Sequence, residues 1–496
     1  DHGGVRTALA RAAVPAGLFA VVLASRLPFV THALWAWDSV LYARALEHGF
    51  HVDFNLADQR PQPPGYLLYL GSAAALRGIL GDSNAALVTV SVLASALGAL
   101  AVFLVARRFC GTGTSLFVAA GFAANPLVWT YGEVAYPYAL LGLLSVTLAG
   151  LFWAVRRGPA LGMLLASFAF GLLAGFRQDL FLLLGTLWLW LVWPRAWRVR
   201  ALAAALVGCG ALVWLVPTAM LSEGLEAYLT ALTQQGGAIQ TSYSVPAQGL
   251  AALSYNLRFT VYALAWGLLA FAVILAGLAL GALLYRVRTG SDEHLTPSRG
   301  FFLAWVGPGL LFYVTVHIGE WGYVLSVVPA LYVLAGALLA RPARMLRGPT
   351  AIWGALGAAV ALAPALLFLA GTDRFSAAAL ARHDRAVVGR VDYVRAHFPA
   401  DRTIILTRED FLTFRYYLPE YRIWLYDPEP YHVAAKRKHA VSATTLVLFT
   451  RGLTPRQNLD VRYAQAADGV TIRYVSIEPG SVLEFYGDRF QVREPR

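Results

Sequence analysis

Residues 85–108 read AALVTVSVLASALGALAVFLVARR, and this stretch decides the class of the protein. It holds 22 consecutive residues without a charge and ends at Arg107 and Arg108. A helix that crosses the roughly 30 Å hydrocarbon core of a bilayer needs about 20 apolar residues, because it rises about 1.5 Å per residue. The stretch therefore predicts a membrane-spanning helix that ends at a pair of arginines.

Ten further stretches follow the same rule within the first 371 residues. The full set of predicted spans is 10–29, 85–106, 114–131, 134–155, 159–176, 180–194, 201–222, 259–285, 300–316, 322–340 and 348–371. The apolar stretch 64–80 contains Arg77 and begins at a proline pair, so we expect it to lie at the membrane interface. No small-residue cleavage site follows 10–29, which is predicted to be a retained span. The pattern predicts an α-helical polytopic membrane protein with about 11 transmembrane helices.

Composition separates this helical part from the end of the chain. Of the 496 residues, 58% are hydrophobic and 14% are charged, whereas soluble domains carry about 25% charged residues. Residues 1–370 contain 34 charged side chains, and the much shorter segment 371–496 also contains 34. We therefore predict a transmembrane domain over 1–371 and a separate domain over 372–496.

The last domain has the pattern of an α/β fold. A helical stretch, AAALARHDRAVVGRVDYVRAHF, precedes the strand-like RTIILT and a second helical stretch, REDFLTFRYYLPEY. Further strand candidates are RIWLYD, TTLVLFT, GVTIRYVSI and SVLEFYG. They are short and rich in β-branched and aromatic residues, as strands are. Only Cys110 and Cys209 are present, which predicts neither a disulfide framework nor a zinc cluster.

Arginine orients the predicted spans, because cytoplasmic loops of membrane proteins are enriched in basic residues. Alternate loops carry Arg6, Arg11, Arg107, Arg108, Arg156, Arg157, Arg195, Arg198, Arg200, Arg286, Arg288, Arg299, Arg341, Arg344 and Arg347. This distribution places the N-terminus in the cytoplasm and residues 372–496 outside the cytoplasmic membrane. Of 40 basic residues only Lys436 and Lys438 are lysine, a bias that is typical of GC-rich coding and indicates a bacterial protein. The net charge of +12 is thus a topology signal and indicates no nucleic-acid partner.

The first outer loop, within residues 30–84, is the most informative segment. Trp35 and Trp37 are expected in the interfacial aromatic belt. Asp38 follows directly, and Tyr42 lies four residues later, on the same face of a helix. Asp38 could be catalytic, or it could simply cap that helix.

These residues resemble the GT-C glycosyltransferases, most closely the protein O-mannosyltransferase and aminoarabinose-transferase branch. The resemblance lies in Arg26, in Trp35-Ala36-Trp37-Asp38, in Tyr42 and in Pro63-Pro64-Gly65-Tyr66. It extends to GLLAGFRQDL around Arg177 and to GYVLSVVPALYVL in 322–334. Two positions differ from the family pattern, because Ser39 replaces a second acid and Gln62 replaces the basic residue before the prolines, with Arg60 two residues earlier.

The resemblance implies transfer of a hexose or pentose from a polyprenyl phosphate to an acceptor hydroxyl, with inversion. Asp38 then acts as the general base, and Arg177 holds the phosphate, because the planar guanidinium suits phosphate. The alternative for Arg177 is an interfacial arginine that snorkels towards water and pairs with Asp179. The donor partner is a polyprenyl-phosphate-linked sugar, and the acceptor is a glycan, a lipid or a protein.

Other polar residues of the outer face are candidates for substrate binding. They are Arg60, Tyr42, Glu133, Asp179, Arg258, His317 and Glu320. The segment 223–256 could hydrogen-bond a sugar through residues such as Gln235 and Tyr243, or form an ordinary mobile loop. No cofactor is predicted, although Asp38, Asp53, Asp58 and Glu133 share a face and leave a divalent metal open.

Two other classes of membrane protein remain as alternatives. A transporter or flippase of a lipid-linked glycan would place charges or broken helices near the bilayer midplane. The predicted spans are almost free of charge, although Pro308, Pro329 and Pro364 could break helices. A ligase that transfers whole glycans would need a loop histidine, for which His317 is the candidate.

Overall fold

A computed structural model describes most of the chain. The described residues are 2–55, 58–269, 271–277, 299–339, 362–408, 410–425, 438–449, 452–466, 469–486 and 489–495, with side chains from residue 13 onward. Within them, a helical domain precedes a small domain built on two sheets. This agrees with the predicted mostly helical protein with a C-terminal α/β domain.

The helical domain runs to residue 370. Its helices are α1 (His2–Arg26), α2 (Trp37–His48), α3 (Leu67–Leu80), α4 (Ser83–Ala106), α5 (Thr112–Ala124), α6 (Pro126–Tyr131), α7 (Tyr138–Val155), α8 (Ala160–Leu173), α9 (Leu180–Val192), α10 (Trp197–Leu221), α11 (Leu225–Tyr243), α12 (Val245–Leu268), α13 (Phe271–Gly277), α14 (Arg299–Thr315), α15 (Val328–Leu339) and α16 (362–370). A short 3₁₀ helix, Trp321–Ser326, precedes α15.

Length and hydropathy single out three of the described helices as able to cross a membrane alone, namely α4, α7 and α10. A fourth span results if α12 and α13 are counted together as one bent span. Most other predicted spans coincide with shorter apolar helices, and 114–131 is divided at Asn125-Pro126 into α5 and α6. Residues 348–361 of the last predicted span lie outside the described residues. The count of about 11 spans therefore stays a prediction.

Helices α8 and α10 pack with their backbones in contact, and this fixes the turn that follows α8. A Cβ atom built on Gly171 would lie 2.0 Å from the Val207 carbonyl oxygen, so only glycine fits there. The Trp214 indole donates a hydrogen bond of 2.9 Å to the Gly171 carbonyl. The ring also covers Gly175, where a Cβ would lie 2.5 Å from it. The turn that carries Arg177 is therefore held against α10.

The C-terminal domain consists of two helices and two sheets. The helices are α17 (Ala377–His397) and α18 (Phe411–Tyr417). The strands are β1 (Thr403–Thr407), β2 (Arg422–Leu425), β3 (Lys438–Ala440), β4 (Thr445–Leu448), β5 (Thr454–Pro455), β6 (Val461–Gln465), β7 (Thr471–Ser476), β8 (Val482–Tyr486) and β9 (Arg489–Arg493). One sheet has the order β2-β1-β4-β7-β6, and the other has the order β3-β8-β9-β5.

Every strand candidate from the sequence is a strand, and both helical stretches are helices. In the first sheet β1 is parallel to β2 and β4, whereas β7 is antiparallel to β4 and β6. The sequence missed β3, β5, β6 and β9. Of these, β5 spans two residues, and β6 is an edge strand with little buried surface, so neither carries a strong alternation.

The C-terminal domain packs on the segment that leads into α2. The Asp384 carboxylate accepts the backbone N–H groups of His32 and Ala33 at 2.8 and 3.0 Å. The Leu34 N–H donates to the Tyr417 hydroxyl at 2.9 Å, and the His383 ring lies 3.1 Å from the Leu34 carbonyl oxygen. Residues 32–34, just before α2, are thereby held by α17 and α18.

Candidate active site

A cavity of about 720 Å³ lies where α2 meets the turns between helices. Its lining comes from separate parts of the chain: α2, the segment 59–66, the turns 136–138 and 177–179, one face of α11, and the segment 312–323. The candidate residues that line it are Asp38, Tyr42, Arg177, Asp179, His317 and Glu320. Six of the nine residues predicted from sequence therefore meet in one place.

Asp38 lies in the first turn of α2 and faces this cavity. The helix begins at Trp37 with Ala36 as its N-cap residue, so the interpretation of Asp38 as an N-cap is wrong. Its carboxylate instead accepts a hydrogen bond of 2.8 Å from the Tyr136 hydroxyl and a second one from Gln62. Burial raises the pKa of Asp38, while these two bonds and the charge of Arg177 oppose the rise. The cavity thus holds a carboxyl group that is a stronger base than an exposed one.

Tyr42 and Asp38 share one face of α2, as their spacing predicts. Tyr42 is 1% exposed and stands in a cluster of aromatic rings. Its ring centroid lies 5.4 Å from that of Tyr69 and 6.0 Å from that of Tyr66, both edge to face. The rings form a rigid wall beside the carboxylate, because close-packed aromatic side chains have little freedom to move.

Arg177 is 2% exposed and is enclosed by tyrosines. Its guanidinium carbon lies 4.7 Å from the centroid of the Tyr138 ring, and Tyr66 and Tyr323 face it at 5.4 and 5.6 Å. Nε and Nη2 donate to the two oxygens of Asp179 at 3.2 and 2.7 Å. The predicted pairing with Asp179 is confirmed, but such a buried group does not snorkel into water.

This arrangement keeps the guanidinium charged and leaves one of its nitrogens available. Burial alone would lower the pKa of Arg177, but Asp179 together with Tyr66 and Tyr138 outweighs the effect of burial, so the pKa lies well above its usual value. Within the described residues, Nη1 has no hydrogen-bond partner. A charged nitrogen with unused N–H donors beside the cavity can bind an anionic oxygen.

His317 and Glu320 also line the cavity. Burial lowers the pKa of His317 to about 4, so the imidazole is neutral at pH 7 and can only hydrogen-bond. Its Nδ1 atom is buried and has no partner among the described residues. Glu320 accepts the Tyr131 hydroxyl at 2.5 Å and the Trp321 N–H at 3.2 Å, and burial raises the pKa of its carboxyl group.

Three predicted residues do not line the cavity. Arg60 donates to the His48 carbonyl at 3.0 Å, and Arg258 is exposed on α12, where it contacts the Ser254 carbonyl. Glu133 is fully buried near Arg26, and burial raises the pKa of its carboxyl group. Among the described residues no three metal-ligating side chains are grouped together.

The segment 223–256 is helical, so the interpretation as a mobile loop is wrong. It forms α11 and the first half of α12. Leu232, Gln235, Ile239 and Tyr243 line the cavity at helical spacing. Trp37 also lines the cavity, and the Trp35 ring lies 4.6 Å from that of His383. The position of these two tryptophans in an interfacial aromatic belt stays a prediction.

Sequence reasoning missed several residues of the site. Tyr136, Tyr138 and Tyr323 line the cavity, and Gln62, noted only as a departure from the family pattern, contacts Asp38. The sequence feature that could have indicated Tyr136 and Tyr138 is the cluster of aromatic residues in WTYGEVAYPY, around Glu133. That stretch places tyrosines at a turn, but it does not say which carboxylate they face.

Solved structures resemble this chain, although no protein-family model and no curated protein sequence matches it. The chain is similar to ArnT from Cupriavidus metallidurans in the apo state, with a TM-score of 0.54 and 15% identity over 95% of this chain and 98% of ArnT. For the same protein bound to undecaprenyl phosphate the TM-score is 0.55 and the identity is 14%, with the same coverage of both chains. For an oligosaccharyltransferase from Archaeoglobus fulgidus, in complex with zinc and sulfate, the TM-score is 0.47 and the identity is 13%. That alignment covers 83% of this chain and 62% of the oligosaccharyltransferase.

The likeness to ArnT, at 14–15% identity, confirms the fold that the resemblance in the sequence implied. The likeness to ArnT extends over nearly the whole of both chains. It therefore includes the helical domain together with the C-terminal sheets.

Proposed function

We propose that this chain is an integral membrane glycosyltransferase that moves a sugar from a polyprenyl monophosphate to an acceptor hydroxyl, with inversion. The observation that carries the proposal is the shared cavity, which places Asp38 and a buried arginine with unused donors around one space. The similarity in fold to a protein solved with undecaprenyl phosphate supports a polyprenyl-linked donor. The N-terminus is cytoplasmic in this proposal, and the C-terminal domain lies outside the cytoplasmic membrane.

Asp38 and Arg177 each act in one step of the proposed reaction. Asp38 takes the proton of the acceptor hydroxyl as the hydroxyl oxygen attacks the anomeric carbon of the sugar. The bond from that carbon to the phosphate oxygen breaks, and the polyprenyl phosphate leaves with the bonding electrons. Arg177 stabilises the leaving phosphate, because its charge faces the oxygen on which negative charge develops. Attack from the side opposite the phosphate gives inversion.

The neutral residues of the cavity are suited to the sugar. At pH 7 His317 has no charge to offer a phosphate, but it can hydrogen-bond a hydroxyl group. Gln235 and Tyr243 of α11 present further hydrogen-bonding groups to the same space. Tyrosine and uncharged polar side chains can contact both the faces and the hydroxyl groups of a sugar ring.

A transfer assay tests the proposal against a transporter. The full chain, reconstituted in liposomes, is given a panel of undecaprenyl-phosphate sugars together with a crude glycolipid acceptor fraction. We expect one donor to release undecaprenyl phosphate in step with the appearance of a glycosylated product. A flippase would instead move the intact lipid-linked sugar across the bilayer without any release, and that result would contradict the proposal.

A second experiment concerns the hydrogen bond from Tyr136 to Asp38. In Tyr136→Phe the bond is lost, and because it lowers the pKa of Asp38, that pKa should rise. The carboxylate is then protonated at a higher pH, so the acid limb of the rate profile shifts to higher pH. We expect a rate loss of about tenfold on that limb, the size of one hydrogen bond to a charged group, and a smaller loss at alkaline pH.

Tyr69→Phe is the matched control for this experiment. The Tyr69 hydroxyl is buried near the same cluster but has no hydrogen-bond partner among the described residues. Its removal should leave the pH profile of transfer in place. An unshifted acid limb in Tyr136→Phe would mean that this hydroxyl does not tune the catalytic group.

A further inference from the structure

A second cavity, of about 650 Å³, lies on the C-terminal domain and is lined by four arginines. Arg382, Arg385 and Arg390 come from α17, and Arg473 comes from β7. The rest of the lining is Ala386, Leu448, Phe449, Gly469, Val470 and Thr471. No acidic side chain is among the described residues that line this space, which we call the basic cleft.

The two outer arginines of the basic cleft are anchored by the backbone. Arg382 Nη2 donates to the Thr372 carbonyl at 2.7 Å, and Arg385 Nε donates to the Ala381 carbonyl at 3.2 Å. Each bond engages one nitrogen of a guanidinium that carries five N–H donors. Both side chains are therefore oriented while most of their donors remain available in the cleft.

The other two arginines of the basic cleft are Arg390 and Arg473. Arg390 Nη1 lies 3.3 Å from Asp410, and its guanidinium carbon lies 5.6 Å from the centroid of the Phe449 ring. Arg473 belongs to β7, opposite Leu448 in the ladder with β4. Its charge thus reaches the cleft from the sheet, independently of the helix.

A row of arginines on one helix is usually a solvated surface. Here the fourth charge belongs to a different element, and all four line one concave space. Like charges gathered in this way repel one another, and a cleft lined by one sign of charge concentrates the potential that attracts an oppositely charged ligand. A volume within the range of about 300–1,000 Å³ typical of ligand sites adds to the case for a binding site.

We propose that the basic cleft binds the phosphoryl group of a phosphate-bearing molecule, at a site separate from the cavity of Asp38. Phosphate fits because the guanidinium fork donates two parallel hydrogen bonds to its oxygens, and because several arginines can share its charge of about −2. The phosphoryl group belongs either to a lipid headgroup or to a free phosphate compound. The proposal does not depend on sugar transfer.

Helix α17 connects the basic cleft with the segment that precedes Asp38. The helix contributes three arginines to the cleft, while His383 and Asp384 contact residues 32–34 ahead of Asp38. A molecule bound in the basic cleft therefore contacts the same helix that holds residues 32–34, the segment just before Asp38.

Binding measurements on the full chain in nanodiscs of neutral phosphatidylcholine test this site. The probes are inorganic phosphate and dihexanoyl phosphatidic acid, a short-chain lipid with a phosphate monoester. The double variant Arg382→Gln/Arg385→Gln should weaken the binding of at least one probe by about tenfold or more, since two charged donor groups are lost. Binding of the lipid probe alone would identify a headgroup as the source, and binding of both probes would identify the phosphoryl group itself.

Three controls make the result decisive. Arg402→Gln/Arg462→Gln removes the same charge from exposed positions of the C-terminal domain that do not line the cleft, and it should bind the probes as the wild type does. Arg177→Ala should also retain this binding. The thermal unfolding midpoint of the cleft variant should equal that of the wild type, which shows that the variant is folded. Equal probe affinity in the cleft variant and the wild type, an equal loss in the Arg402/Arg462 control, or a loss only in Arg177→Ala would overturn the proposal.

Discussion

We expect Asp38→Asn to slow sugar transfer by about 10²–10⁴-fold, or about 3–5 kcal/mol of barrier, and to leave donor binding near the wild-type value. The size follows from the loss of the general base, since an amide cannot take the acceptor proton. Asparagine keeps the shape of the side chain, and its carbonyl oxygen can still accept the Tyr136 hydroxyl. The measurement is single-turnover transfer in liposomes, combined with donor affinity measured by titration.

The matched control is Asp58→Asn, which removes a carboxylate from the same loop at an exposed position that does not line the cavity. We expect it to transfer sugar at the wild-type rate. A near wild-type rate in Asp38→Asn would assign the base to another acid. Of the other described acids in the cavity, Asp179 is paired with Arg177, so Glu320 would be the next residue to test.

Arg177→Ala should weaken the binding of undecaprenyl phosphate by about tenfold to a hundredfold, the worth of one or two charged hydrogen bonds to phosphate. The loss should be largest at low salt, although a buried charge is screened less than an exposed one. Arg177→Lys should recover part of the affinity, because the charge survives but the planar fork does not. The measurement is donor affinity at several salt concentrations.

Removal of Arg177 also leaves Asp179 without its partner. A thermal-shift measurement should therefore accompany the binding data, because an unpaired carboxylate in a partly buried site is destabilising. Arg258→Ala is the matched control, since Arg258 is exposed on α12 and outside the cavity. An unchanged donor affinity in a folded Arg177→Ala variant would limit Arg177 to a structural pairing with Asp179.

Local patterns determined much of this protein. Runs of about 20 uncharged residues identified the main helices, and short stretches rich in β-branched and aromatic residues identified β1, β2, β4, β7 and β8. The spacing of Asp38 and Tyr42 placed both on one face of α2, and the short separation of Arg177 and Asp179 predicted their ion pair. Each of these features depends on residues close together in the chain, where the periodicity of helix and strand is enough.

The tertiary structure decided which of these residues share a site. Tyr136 lies 98 residues from the carboxylate it contacts, and Arg177 meets tyrosines from three separate segments. The polar stretch QQGGAIQTSY looked like a loop, yet α11 packs its Tyr228 and Ala231 against Val52 and Ala219. Burial through tertiary packing can override weak helix propensity. Arg60 and Arg258 do not line the cavity. Sequence periodicity reports the face on which a side chain lies, but it does not report the cavity towards which that face is packed.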